Sequence, residues 1–132
     1  MPRRRAKRLP QRRPEEVALR ALRAADRSRA ELDARLQGAG VEEAERQETL
    51  DSLERLGYLD DARTAALRAA RLAERGYGDA YIRAELERRG LPAEAAVADL
   101  EPEAERATRF TSRGAGWLAR RGFASEGWCA VG

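Results

Sequence analysis

Along this chain the apolar positions recur at three- and four-residue intervals, and glycines interrupt the pattern at regular places. From Glu15 onward, Ala18, Ala21, Leu22 and Ala25 follow the i, i+3, i+4, i+7 spacing of one helix face. Pro14 with Glu15 and Glu16 suits a helix start, with acids near the positive end of the dipole. Ser28 and Glu31 fit a capping box at the head of a second helix. Leu32, Leu36 and Ala39 form its buried stripe, and Gly40 ends it in the left-handed conformation. A third helix is predicted from about Glu42 to Leu56, with Leu50, Leu53 and Leu56 inward and Gly57 as its stop. Asp60 or Asp61 caps a fourth, whose Ala65, Ala66, Ala69, Ala70, Leu72 and Ala73 run to Arg75 before Gly76. A fifth starts after Asp79, buries Ile82 and Leu86, and stops at Gly90. Pro92 opens a sixth with Ala96, Val97 and Leu100, halted by Pro102, and a seventh covers Glu103 to about Arg113. Beyond it Gly114, Gly116, Gly122 and Gly127 crowd the chain, and the pattern assigns no firm helix there. No stretch alternates apolar and polar residues over the length of a strand, so the class is all-α.

The helices fall into a repeat. Aligned on Gly40, Gly90 and Gly122, a leucine stands four residues before each glycine (Leu36, Leu86, Leu118) and an apolar residue directly after it (Val41, Leu91, Phe123). Leu32 and Ile82 share a place eight residues before the first two glycines, and Leu50 and Leu100 a place ten after. Arg88-Arg89-Gly90-Leu91 reads in parallel with Arg120-Arg121-Gly122-Phe123. Physically, each unit is a helix whose last turn buries a leucine, a left-handed glycine turn, and an apolar residue that folds back. The expected organisation is a basic, unstructured arm over 1–14, three-helix modules over 15–57 and 58–102, and a shortened third module over 103–132. The third is clipped because its glycine lies 32 residues after the second, against 50 between the first two.

Charge changes how this picture is read. The 132 residues carry 26 basic and 23 acidic side chains, a net of +3, with a pI near 9.6. Seven of the cations (Arg3, Arg4, Arg5, Lys7, Arg8, Arg12 and Arg13) crowd the first thirteen residues without one acid. The rest holds 19 basic and 23 acidic groups, a net of −4, so a short tail makes a slightly acidic body look basic. That arm either binds nucleic-acid phosphates in a salt-sensitive, nonspecific way or serves as a solubilising terminus.

Absences narrow the chemistry. The sequence has no histidine, which removes Ser-His-Asp and Cys-His catalysis and imidazole metal ligation. The single cysteine, Cys129, cannot form an intramolecular disulfide, which suits a reducing compartment. No apolar run approaches the roughly 18 residues of a membrane span, and the basic N-terminus lacks the apolar core of a secretory signal. The expectation is a cytoplasmic, non-enzymatic protein without metal or cofactor. Asp60-Asp61 reads as a helix cap, because neighbours on a helix point about 100° apart and cannot easily share one ion. Tyr58, just after a helix-ending glycine, reads as core, whereas Tyr81 is left open between packing and base stacking.

Four stretches of the chain resemble a known family. Ala18 to Leu22, Asp26 to Leu32, Arg35-Leu36 and Gly40-Val41 are similar to the opening module of the RecX family of bacterial recombination regulators. Leu53 to Arg63, with Gly57-Tyr58-Leu59-Asp60-Asp61 at its centre, is similar to that family's most recognisable segment. Gly78 with Ile82 to Leu91 resembles the second module, and Leu118 to Phe123 the third. Thr64 departs from the family pattern, which usually has an aromatic core residue there. Glu45, Arg46 and Thr49 stand where more apolar residues are common. The resemblance implies tandem three-helix repeats and a monomeric regulator that binds the RecA recombinase filament on DNA and restrains its ATP hydrolysis and strand exchange. Arg27, Arg29, Arg35, Arg68, Arg71, Arg75, Arg83, Arg88, Arg89, Arg120 and Arg121 are then the candidates for touching recombinase or DNA. For each, the competing reading is a cation at a helix C-terminus or in an intrahelical ion pair. The net −4 of the body favours a protein partner over naked DNA. The rival functions are a general DNA binder acting through the arm, or an inactive paralogue with a clipped third module.

Overall fold

The computed structural model describes residues 13–125. Among these every regular element is helical. The elements are α1 (Pro14–Ala24), α2 (Arg29–Gly38), α3 (Glu43–Arg55), α4 (Asp61–Glu74), α5 (Asp79–Arg88), α6 (Ala93–Ala98), α7 (Glu103–Thr108), a 3₁₀ turn (Thr111–Arg113) and α8 (Ala115–Arg120). The chain divides into two compact units, Met1–Leu59 and Asp60–Gly132.

The first unit packs α1, α2 and α3 around Ala18, Ala21, Leu32, Leu36, Leu50, Leu53 and Leu59, with Val17, Leu19, Leu22 and Val41 closing its edges. The small residues of α1 let the leucines of its neighbours approach closely. The capping box forms as the sequence predicts: the Glu31 N–H donates to Ser28 Oγ and the Ser28 N–H to Glu31 Oε1, both at 3.0 Å. The helix then closes at Gly40, φ +86°, where the Val41 N–H reaches back to the Leu36 carbonyl at 3.1 Å. This 6→1 bond satisfies an orphan carbonyl and swings the apolar residue onto the core. Equivalent bonds join Tyr58 to Leu53, Tyr77 to Leu72, Leu91 to Leu86 and Phe123 to Leu118.

Two expectations fail at the end of α3. Leu56 is 67% and Tyr58 57% exposed, against the core placement that the sequence predicts for both. At 3.6 residues per turn Leu56 lies about 120° round from Leu50. Beyond Gly57 the Tyr58 and Leu59 N–H groups both bond the Leu53 carbonyl. The Tyr58 N–H makes the same bond as at the other turns, but its ring stays outside, and Leu59, held by the second bond, takes the core place expected of Tyr58. The polar departures in this unit are accommodated. Arg46 bonds Asp33 Oδ1 at 2.9 Å and the Val41 carbonyl at 3.0 Å, Thr49 is buried, and Glu45 is exposed.

In the second unit Asp60 caps α4, its Oδ1 accepting from the Arg63 N–H at 3.0 Å. Ala65, Ala69, Leu72, Ile82, Leu86, Leu91, Ala93, Ala96 and Val97 form one cluster, while Ala66 and Ala70 face outward. Ala107, Leu118 and Phe123 form another, flanked by Phe110 and Trp117. The seventh helix is shorter than predicted. It ends at Thr108, whose hydroxyl donates to the Glu105 carbonyl at 2.6 Å, and Phe110 turns in to stack on Trp117 at 5.5 Å. A helix running on to Arg113 would carry Phe110 away from that contact. The 3₁₀ turn and Gly114 reverse the chain instead, and α8 follows, burying Leu118 in its last turn before Gly122 as the repeat predicts.

The start of α5 has no side-chain cap of its own, since its N-cap residue is Gly78. The segment around α7 and α8 supplies the missing acceptors. The Gly78 N–H donates to the Arg121 carbonyl at 2.7 Å, the Ala80 N–H to the Gly122 carbonyl at 3.2 Å, and the Asp79 N–H to Glu103 Oε2 at 3.2 Å. The same Glu103 oxygen accepts the Ala124 N–H at 3.1 Å. The approach leaves no room for side chains. A Cβ on Gly78 would lie 2.4 Å from the Gly122 carbonyl carbon, and one on Gly122 would lie 2.6 Å from the Tyr81 nitrogen. Beside this seam Arg106, 3% exposed, bonds Asp79 Oδ1 at 2.8 Å, the Glu101 carbonyl at 3.0 Å and the Tyr77 carbonyl at 3.2 Å.

Gly78→Ala is expected to lower stability by about 3 kcal/mol, because both clashing groups are backbone and cannot turn aside. Gly38→Ala, which meets nothing within 4 Å in a helix, should be neutral or stabilising by up to about 1 kcal/mol. Chemical denaturation of the two variants checks the contrast; equal midpoints would remove the seam as a constraint.

Candidate interaction surface

The candidate arginines separate into those the fold already uses and those left on the surface. Arg29, at the first turn of α2, reaches α3, where its guanidinium bonds Gln47 Oε1 at 2.7 Å, Asp51 Oδ1 at 2.9 Å and Glu54 Oε1 at 2.8 Å. Those three partners stand at i, i+4 and i+7, so one planar fork clamps one face of α3. Arg27 points its Nε at the Ala21 carbonyl, 3.4 Å away, where α1 ends. Arg83 pairs with Glu94 at 3.1 Å and Arg88 with Glu85 one turn earlier, both on exposed surface where such pairs add little.

Arg121 is the most committed of the set. Its guanidinium lies 3.8 Å from the Tyr77 ring centroid and 4.9 Å from that of Trp117, and it bonds the Arg75 and Gly76 carbonyls at the end of α4. It therefore satisfies helix-terminal carbonyls and fills the space between two rings, which a lysine could do only as a point charge. Arg121 and Arg75 are brought together, the latter with its carbonyl inward and its side chain exposed. Arg35, Arg71, Arg75 and Arg120 are exposed, and Arg68 and Arg89 are half-buried. In the arm, Arg13 is the exposed N-cap of α1; Arg3, Arg4, Arg5, Lys7, Arg8 and Arg12 lie outside the described residues, as do Gly127 and Cys129.

Arg106 was not singled out by the sequence, although it is the most deeply buried cation among the described residues. Its place in a short charged helix looks solvated, and only the fold brings Asp79, Tyr77 and Phe123 around it. Among the described residues no group of three or more His, Cys, Asp or Glu side chains is placed to hold a metal ion, and no helix is long and apolar enough to cross a membrane. Asp60 spends one carboxylate oxygen on its helix cap and holds the other 3.7 Å from Arg63.

No family model matches the chain. The regulatory protein RecX of Xanthomonas oryzae pv. oryzae is 37% identical over an aligned length of 138 residues, covering 90% of this chain and 86% of that protein. This chain belongs to the RecX family. RecX of Xanthomonas axonopodis pv. citri is 38% identical over 96 residues, which cover 73% of this chain and 59% of that protein. The crystal structure of RecX from Lactobacillus salivarius superposes with a TM-score of 0.77 over 89% of this chain and 91% of that one. At 19% identity this second likeness establishes the helical-repeat fold of RecX alone. Family membership makes this a regulatory protein by kinship, and its surface is to be read as that of a regulator.

Replacing Arg121 with Ala is expected to cost about 2 kcal/mol, from the lost cation–π contacts and two unsatisfied carbonyls. Arg120→Ala, one residue earlier and exposed, should change stability by less than about 0.5 kcal/mol. Thermal melting of both variants tests this sorting; matching losses would place Arg120 in the fold as well.

Proposed function

We propose that this protein binds the RecA recombinase filament on DNA and restrains its ATPase and strand-exchange activity, acting as a monomer and without catalysis of its own. The observation that carries the reading is kinship to RecX over nine-tenths of the chain. The character of the surface agrees with it. Arg35, Arg71, Arg75 and Arg120 are exposed on a body whose net charge is −4, a distribution that favours local contacts to an acidic protein surface over broad attraction to naked duplex. In this reading the helices over 15–57, 58–102 and 103–132 act as successive modules that present arginines along the partner.

The test is RecA ATPase on single-stranded DNA, titrated with this protein at fixed salt. Hydrolysis is expected to fall at concentrations well below those that coat the DNA. Reversing two exposed cations, Arg35→Glu with Arg120→Glu, should raise the half-inhibiting concentration about tenfold while the melting temperature stays put. Inhibition only at DNA-coating concentrations would point to the N-terminal arm, and none at all to an inactive paralogue.

A further inference from the structure

Residues 103–125 grip the rest of their unit at one short stretch. Trp117 and Phe110 close over Gly76, where a Cβ would stand 3.0 Å from the first ring and 3.2 Å from the second. Arg121 bonds the Arg75 and Gly76 carbonyls and lies on the Tyr77 ring. Arg106 bonds the Tyr77 carbonyl and Asp79, and Glu103 accepts the Asp79 N–H. The carbonyls of Arg121 and Gly122 accept the N–H groups of Gly78 and Ala80. Each of these contacts falls on residues 75–81, the turn from α4 into α5. The apolar clusters on the two sides do not merge. Among the described residues, the one built by α4, α5 and α6 takes nothing beyond Leu100, and the other takes nothing before Ala107.

Three features make this grip weaker than its burial suggests. Arg106 is 3% exposed, yet its Nε has no acceptor among the described residues. Docking therefore leaves one donor of a buried cation unpaired, a cost that offsets part of what its other bonds contribute. The cluster behind the grip is small, with three buried apolar residues against nine in its neighbour, too few to hold a fold of its own. The connection back to α6, residues 99–102, has no regular structure, so nothing rigid carries α6 into α7.

We infer that residues 103–125 form a clasp that opens as one cooperative piece, losing its own small core as it leaves while α4, α5 and α6 stay packed. Closed, it caps the start of α5 and buries Arg106. Open, it releases the N–H groups of Gly78, Asp79 and Ala80 together with the guanidiniums of Arg106 and Arg121. The closed form thus hides a set of donors and cations that a single step uncovers. That step costs less than unfolding the unit, because the larger apolar cluster is untouched by it. The clasp does not rest on the recombinase reading.

The experiment is amide hydrogen exchange of the full-length protein, followed residue by residue by NMR without any partner. Gly78 and Ala80 sit at the head of α5, yet their amides are expected to share one protection factor with Leu118 and Phe123. That factor should lie about a hundredfold below those of Ala69, Leu72 and Leu86. Two variants separate the clasp from the core. Ala65→Gly, which weakens α4 away from the grip, should lower protection of the core amides about tenfold and leave the four clasp amides unchanged, because the core is intact whether the clasp is open or closed. Glu103→Ala weakens the closed form itself, from which every opening starts, so it should lower both sets alike. Core-like protection of Gly78 and Ala80 would overturn the proposal, and so would protection that differs between that pair and Leu118 with Phe123. Clasp amides that follow the core in Ala65→Gly, or that keep wild-type protection in Glu103→Ala, would overturn it equally.

Discussion

The second unit depends on how the start of α5 is satisfied. A helix begins with unpaired N–H groups that need acceptors, and Gly78 has no side chain to offer one. Carbonyls of Arg121 and Gly122 and the carboxylate of Glu103 fill that role from more than twenty residues away. The arrangement also sets the negative end of α8 against the positive start of α5, so the two helix dipoles meet in the favourable sense. Once those carbonyls must reach the α5 backbone, neither Gly78 nor Gly122 can carry a Cβ. The small third cluster of Ala107, Leu118 and Phe123 is then tied to the rest of its unit by backbone hydrogen bonds as well as by its apolar contacts.

The repeat makes that dependence visible by comparison. Ser28 stands twelve residues before Gly40, and Gly78 twelve residues before Gly90. In the first position the residue caps its own helix, with Glu31 completing the box; in the second the same duty passes to a distant segment. Arg106 reinforces the substitution. By binding Asp79 together with the Tyr77 carbonyl it fixes the residues on both sides of Gly78. Asp79 and two carbonyls engage both terminal nitrogens of this buried guanidinium, Nε is left without a partner, and the Phe123 ring lies 5.9 Å from the group.

The glycine turns, the leucines before them, the capping box at Ser28 and the cap at Asp60 were all legible in the sequence. Each depends on residues within one helical turn of itself, and spacing reports such relations directly. Most of the exceptions are non-local. At Tyr58 the exception is local: the turn makes its usual bond to Leu53, and a second bond from the next N–H brings Leu59 in as the buried residue instead. The seventh helix stops at Thr108 because Phe110 finds Trp117, a partner that period counting could not supply. Among the candidate arginines, Arg29 and Arg121 are held inside the fold by partners 18 to 46 residues away, so a list of cations could not separate them from Arg35 or Arg120.

The composition that first suggested a nucleic-acid binder takes on a second meaning from these contacts. Aromatic residues make up only 5% of the chain, and one lysine stands against twenty-five arginines. A core so short of large apolar groups closes poorly at its edges, where helices end and rings stand half-exposed. Arginine fits those places because one planar group both stacks on a ring and donates to the carbonyls that a helix end leaves unpaired. Arg106 does this beside Phe123, and Arg121 does it between Tyr77 and Trp117. Arginine in this body is therefore partly a packing residue, and net charge overstates how much of it is available to a partner. The cations that can act outward are those whose fork the fold has not already filled.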